Sequence, residues 1–101
     1  MAISSESKGP LYPRRNPHSA FRPIKDEGGL VVLPDRSEVK VLNPIGSKIY
    51  SLLDGQHSQD EIVRTVMDEF EVSEEQARGD LQAFLAELST AGMLAEPQEA
   101  S

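Results

Sequence analysis

The spacing of apolar residues changes partway along the chain and divides it into a region of predicted strands and a region of predicted helices. Short apolar runs over residues 19–24, 30–33 and 38–42, separated by turn-forming residues, predict three strands. In the third run, two valines fall on one face, and the charged residues and a leucine fall on the other. The pattern predicts an α+β fold of winged helix-turn-helix form, with about three short antiparallel strands followed by three helices.

Each predicted helix begins at a polar residue whose side chain can cap it. Asn43, which is followed by a proline, opens the first helix, and Ser58 and Ser73 open the second and third. Both serines are followed three residues later by Glu or Gln, which is the pattern of a capping box. Gly55 stands where a left-handed C-cap of the first helix is expected, and Gly92 is expected to close the third helix.

The ends of the chain differ in composition from its middle. Residues 1–17 are rich in proline, serine and basic side chains and predict a flexible arm. Residues 18–95 are expected to form the folded domain, and residues 96–101 a frayed tail. Residues 26–101 carry 16 acidic and five basic side chains, so this part should repel a phosphate backbone. Nucleic acid is therefore not an expected partner.

The 101 residues are enough for one small domain, and the absence of cysteine excludes disulfides and thiolate metal sites. The first residues lack the apolar stretch of a signal peptide. No segment has the ~20 consecutive apolar residues that span a bilayer. We therefore expect a cytoplasmic protein with no membrane partner.

The sequence offers no candidate for catalysis, metal binding or a cofactor. His18 and His57 are the only histidines, and neither has further ligands at a metal-binding spacing. There is no nucleophile elbow and no phosphate-binding glycine loop. The paired carboxylates fall in first helical turns or on polar helix faces, where a structural role explains them. We therefore expect a binding protein and not an enzyme.

The predicted strand Glu38–Leu42 is the best candidate for a binding site. At a sheet edge, its free N–H and C=O groups would pair with an extended peptide, whose side chains would fall between the strand and the third helix. The alternative is that Glu38 and Lys40 merely keep an exposed edge soluble. The residues alone leave both interpretations open.

Several short motifs give the chain a resemblance to a known family. The run V-x-V-L-N-P occupies residues 39–44, L-L-D-G follows at 52–55, and S-x-x-E-I spans 58–62. The third predicted helix ends in an F-L-x-x-L pattern that leads to G-M-L at 92–94. In this order and spacing the chain resembles the PqqD-like family, over about residues 18–95.

The resemblance implies a non-enzymatic peptide chaperone, or recognition element, for ribosomally made and modified peptides. Such a protein binds a precursor, or its leader segment, along the third strand and third helix and presents it to a modifying enzyme. Carried over by position, the strand half of the site comprises Glu38, Val39, Lys40, Val41 and Leu42. The helical half is expected within residues 78–89, on a stripe formed by Arg78, Gln82, Leu85 and Ser89.

Two other functions are compatible with the predicted fold. One is a winged-helix DNA-binding protein, against which the acidic domain argues. The other is a structural dimerisation or scaffold domain that contacts only an enzyme. A homodimer formed by edge pairing or strand swapping is compatible with either a scaffold or a peptide-binding protein.

Overall fold

Three antiparallel strands precede three helices, which confirms the predicted α+β order. The computed structural model describes residues 12–34 and 37–95. The strands form one sheet in the order β1-β2-β3. The elements are β1 (Ala20–Ile24), β2 (Gly28–Leu33), β3 (Glu38–Leu42), α1 (Pro44–Ser51), α2 (Gln59–Phe70) and α3 (Glu74–Ala91).

One face of the sheet packs on the helices and forms the core with them. Val31 and Leu33 of β2 and Leu42 of β3 are all buried on this face. The apolar stripe of each helix completes the core, as the sequence pattern predicts. The core residues within the helices are Ile49, Tyr50, Ile62, Val63, Val66, Ala77, Leu81, Leu85 and Leu88, and Leu53 and Met93 join them from just after α1 and α3.

A close approach of two backbones fixes where the sheet ends and α1 begins. Gly28 has φ +107°, and a Cβ atom there would overlap the carbonyl oxygen of Leu42. Only glycine combines this conformation with this contact. Just beyond, the Asn43 side chain accepts a hydrogen bond of 2.7 Å from the Gly46 N–H, as expected of an N-cap. β3 therefore passes directly into a capped helix.

The predicted caps of the other helices are present, with one difference. Ser58 and Glu61 form the full reciprocal capping box at the start of α2. Ser73 accepts from the Gln76 N–H at the start of α3, but the Gln76 side chain donates to Asp80 instead of returning to the cap. The third helix therefore has half of the expected box.

α1 ends earlier than the glycine at position 55 suggests. Its last residue is Ser51 and its C-cap is Leu52, so the prediction that Gly55 caps this helix is wrong. The Leu53 carbonyl instead accepts a hydrogen bond of 2.8 Å from the N–H of Arg15. Gly55 does adopt φ +80°, and a Cβ there would meet the Arg14 side chain. A segment from the N-terminus therefore replaces the last turn of the helix.

This segment, residues 12–19, is here named the N-terminal strap. Pro13 is fully buried, the Asn16 N–H donates to the Met93 carbonyl, and the Ala95 N–H donates to the Arg14 carbonyl. The flexible arm predicted for residues 1–17 is therefore incorrect for residues 12–17, because backbone groups after α1 and α3 give the strap partners. Residues 1–11 and the predicted tail at 96–101 lie outside the described residues.

Tyr50 connects the strap, the sheet and α3 at one buried point. Its ring packs edge-on against Phe21 of β1 at 5.1 Å and against Phe84 of α3 at 6.5 Å between ring centroids. Its hydroxyl donates to the Met93 carbonyl at 3.0 Å and lies 2.9 Å from the Ser19 hydroxyl. One fully buried side chain of α1 thus contacts the strap, β1, α3 and the segment that follows α3.

The environment of Tyr50 makes stability depend on pH in the alkaline range. Burial raises the pKa of the Tyr50 phenol above its ordinary value near 10, and the hydrogen bond with Ser19 and the charge of Arg15 oppose this only in part. A phenol whose pKa is raised on folding stabilises the folded chain below about pH 10. That contribution is lost as the pH rises through the raised pKa.

We therefore expect the free energy of unfolding in urea to fall more steeply above about pH 10 for the wild-type chain than for Tyr50→Phe. Every other ionisable side chain is present in both chains, so the comparison isolates Tyr50. At pH 7 the variant should be less stable by about 1–3 kcal/mol, because the Met93 carbonyl loses its donor. Parallel pH profiles would contradict this account of the buried phenol.

Candidate functional site

β3 lies at an edge of the sheet, where the peptide hypothesis needs it. The strand order β1-β2-β3 gives it one neighbour, β2. The isolated bridges found among residues 12–34 and 37–95 join Arg14 to Asp54 and Arg15 to Leu94, and neither involves β3. Alternate N–H and C=O groups of β3 therefore point away from the sheet and can pair with an added strand.

An open groove of about 740 Å³ runs between β3 and the last turns of α3. Most of the helical side chains along it are small, so the two elements stand apart without a large residue filling the space. The lining residues are Glu38, Lys40, Ala86, Glu87, Thr90 and Ala91. The groove therefore lies directly beside the unpaired edge of β3.

An ion pair crosses the groove from strand to helix. The Lys40 ammonium lies 3.2 Å from the Glu87 carboxylate, and the Glu87 side chain is 62% exposed. An ion pair this accessible to water contributes only about 0–1 kcal/mol. A ligand that enters the groove can therefore replace the contact at little cost.

The structure distributes the five predicted strand residues over three environments. Glu38 and Lys40 line the groove. Leu42 is 3% exposed and belongs to the core, so it offers no surface to a ligand. Val39 and Val41 lie on the opposite face of the sheet, and both are exposed. The predicted alternation of β3 is present, but its charged side and not its valine side faces the groove.

The predicted helical stripe lies on the wrong flank of α3 for this groove. The Arg78 guanidinium bonds Asp60 at 2.9 Å and Glu74 at 2.8 Å. These bonds raise the pKa of Arg78, the bond to Glu74 most of all. The Gln82 side chain donates to Gln59 of α2 at 2.6 Å. Arg78 and Gln82 therefore face α2, and the structure does not bring them to β3.

The other two members of the stripe, Leu85 and Ser89, do not line the groove either. Leu85 is 5% exposed and packs in the core. Ser89 is exposed and follows Gln82 by seven residues, which places it on the same flank of the helix. A helix with a buried stripe has two flanks, and the sequence does not say which one meets the sheet. The signals that sequence reasoning missed are the small residues near the end of α3 and the charge complementarity of Glu87 with Lys40.

The histidines do not form a metal site in the structure. His57 lies beside Asp54, with 3.0 Å between Nδ1 and Oδ1, and this hydrogen bond is the first cause of the lowered pKa of the Asp54 carboxyl. Among residues 12–34 and 37–95, no three His, Cys, Asp or Glu side chains are grouped to hold a metal ion. None of the helices in the described part is both long and apolar enough to cross a membrane.

The placement of core and groove residues predicts a sharp contrast in stability. Leu85→Ala should lower the free energy of unfolding by about 2–5 kcal/mol, because it leaves a cavity in the core. Glu87→Gln should change it by less than about 1 kcal/mol, because it removes an exposed ion pair only. Urea unfolding of both variants checks this. A large loss for Glu87→Gln would mean that the ion pair, and not the core, holds α3 beside β3.

Two solved structures share this fold. The structure of TbiB1 in complex with the TbiA(beta) leader peptide is 23% identical to this chain, with a TM-score of 0.73, and the match covers 85% of this chain and 99% of that one. Lasso peptide synthetase B1 complexed with the leader peptide is 22% identical, with a TM-score of 0.72 and coverages of 84% and 99%. At these identities the likeness is one of fold.

The comparison with families agrees with the motifs in the sequence. No curated protein matches the chain. The model of the PqqD family, coenzyme PQQ synthesis protein D, matches residues 29–94. This range contains β2 except Gly28, together with β3, all three helices and every residue that lines the groove. Because the match covers more than half of the sequence, the chain belongs to the PqqD family, and the predicted resemblance is confirmed.

Proposed function

We propose that this protein is a recognition element that binds the leader segment of a ribosomally made precursor peptide by strand addition to β3. The observation that carries the proposal is the unpaired edge of β3 with an open groove beside it. The two structures that share the fold are complexes with leader peptides, which supports the same function here. The bound peptide would then be held beside α3 for a modifying enzyme.

Backbone pairing alone is too weak for a useful affinity. β3 has five residues, and only alternate residues direct their N–H and C=O groups outward. Each bond contributes about 0.5–1.5 kcal/mol net, whereas micromolar binding needs about 8 kcal/mol. Side-chain contacts must supply the rest. The groove offers such contacts on one side of the added strand, through Ala86, Thr90 and Ala91.

We also propose a modifying enzyme as a partner, because the groove is suited to holding a peptide for it. Its lining combines small side chains with the ion pair of Lys40 and Glu87 and with a second carboxylate, Glu38. The chain would supply orientation and local concentration of the precursor, and its partner would supply the chemistry. The leader can serve this purpose because the bonds in strand addition come mainly from the backbone and not from the modified residues.

The alternative functions lack comparable support. Duplex DNA would have to approach an acidic domain, and the groove beside β3 contains two carboxylates, Glu38 and Glu87. A scaffold that contacts only an enzyme would leave the open edge of β3 unused. The homodimer and the cytoplasmic location remain predictions. A dimer formed by edge pairing would compete with the peptide for the same backbone groups.

Proline substitution in β3 tests strand addition directly. N–H groups of consecutive residues point to opposite edges, so one of Lys40→Pro and Val41→Pro breaks the ladder with β2, and the other removes an outward donor. The variant that keeps the wild-type melting temperature should bind peptide about tenfold more weakly, since it loses a hydrogen bond and the proline ring obstructs pairing.

The ligand for this test is a peptide selected from a random display library on the full chain, with affinity measured by calorimetry. Alanine at the same position is the matched control, because it shortens the side chain but keeps the N–H. The folded proline variant should bind more weakly than its alanine control. Equal affinities would show that the peptide does not pair with β3.

A further inference from the structure

The face of the sheet that points away from the helices is apolar at most positions. The register pairs Val32 with Val39 and Leu30 with Val41, and these four residues form the centre of that face. Val39 is 62% exposed and Val41 is 77% exposed, whereas Leu30 and Val32 are half-buried. An antiparallel sheet usually carries polar residues on its solvated face. The two valines of β3 are therefore the residues to explain.

The exposure of these valines follows from the missing neighbour of β3. Leu30 and Val32 have a strand on either side, but Val39 and Val41 have one on the β2 side only. A strand added to β3 would place its own side chains directly beside both valines, with Cβ atoms about 4.5–5.5 Å away. The ligand that completes the sheet would therefore also cover its exposed apolar residues.

An added strand presents its side chains alternately to the two faces of the sheet. The residues that enter the groove meet Lys40, Glu87 and Glu38, which favour polar and disfavour acidic side chains. The residues between them meet Val39 and Val41, where polar groups would lose water without gaining a partner. The groove face thus favours a polar side chain and the valine face an apolar one, at neighbouring positions of the same peptide.

We propose that Val39 and Val41 are specificity-determining residues that select a precursor segment with two apolar side chains two positions apart. The side chain between those two enters the groove and is polar and not acidic. This inference rests on the proposed function, because it needs the peptide to pair with β3. The recognised ligand is a peptide segment with the pattern apolar–polar–apolar. Both faces of the added strand contribute to its recognition.

The test selects a random-peptide display library on the full chain and measures binding of the enriched synthetic peptides. The variants are Val39→Thr and Val41→Thr, since threonine nearly keeps the shape and strand preference of valine but replaces one methyl group with a hydroxyl. The control is Ile24→Thr, which alters an exposed residue on the same face but on β1, the opposite edge strand. Deuterium exchange at β3 reports whether each peptide pairs there.

Enriched peptides should share apolar residues two positions apart. Each valine variant should weaken their binding about threefold to tenfold, while Ile24→Thr changes it by less than about twofold. Replacing the two apolar peptide residues with serine should weaken binding to the wild type and remove the difference between the wild type and the valine variants.

Three results would overturn the inference, and they differ in what they mean for the proposed function. If peptides protect the β3 amides but bind the valine variants as tightly as the wild type, strand addition stands and the selection by valine is wrong. If no enriched peptide protects β3, strand addition fails and the inference fails with it. A loss of affinity in Ile24→Thr equal to that in the valine variants would assign the effect to the whole face, against a role of β3 in particular.

Discussion

The buried side chain of Tyr50, at the centre of the apolar core, connects α3 to the sheet. A buried hydroxyl without a partner is costly, and the Met93 carbonyl just after α3 supplies that partner. The same ring packs on Phe21 of β1 and Phe84 of α3. Together these contacts fix the end of the last helix relative to the sheet. The groove beside β3 exists because α3 is held near the strand without closing on it.

Within the described part of the chain, nothing competes with a ligand for the edge of β3. The chain leaves β3 through the Asn43 cap into α1, and α3 returns to contact the strand by side chains only. The backbone edge stays open while Glu38 and Lys40 provide the charge that discourages aggregation. The exposed Val39 and Val41 instead favour aggregation. A partner strand that covers them would explain why they are there.

Local features of this fold are predictable from the sequence, because neighbouring residues determine them. β3 and the caps at Asn43 and Ser58 follow from alternation and side-chain chemistry alone. The early end of α1 is not predictable, since the Leu53 carbonyl is satisfied by Arg15 of the strap, far away in sequence. Proline-rich composition likewise suggests disorder for a strap that the helix ends in fact bind.

The candidate site likewise has features that the sequence shows and features that only packing determines. The alternation of β3 is visible in the sequence, whereas its edge position is known only from the order of the strands in the sheet. The helical half depends on which flank of α3 meets the sheet, and that choice is made by packing. Arg78 and Gln82 look like surface residues in sequence and prove to be partners of α2. The small groove residues Ala86 and Thr90 indicate a groove only once the flank of α3 that meets the sheet is known.

The measurement that tests the central claim most directly is nuclear Overhauser spectroscopy of the isotope-labelled chain with an unlabelled bound peptide. Strand addition brings the α protons of the peptide close to those of β3, since paired strands lie about 4.8 Å apart. The account predicts intermolecular contacts between peptide α protons and alternate residues of Glu38–Leu42, and none to β1. Contacts confined to side chains of α3, with no backbone contact to β3, would contradict it.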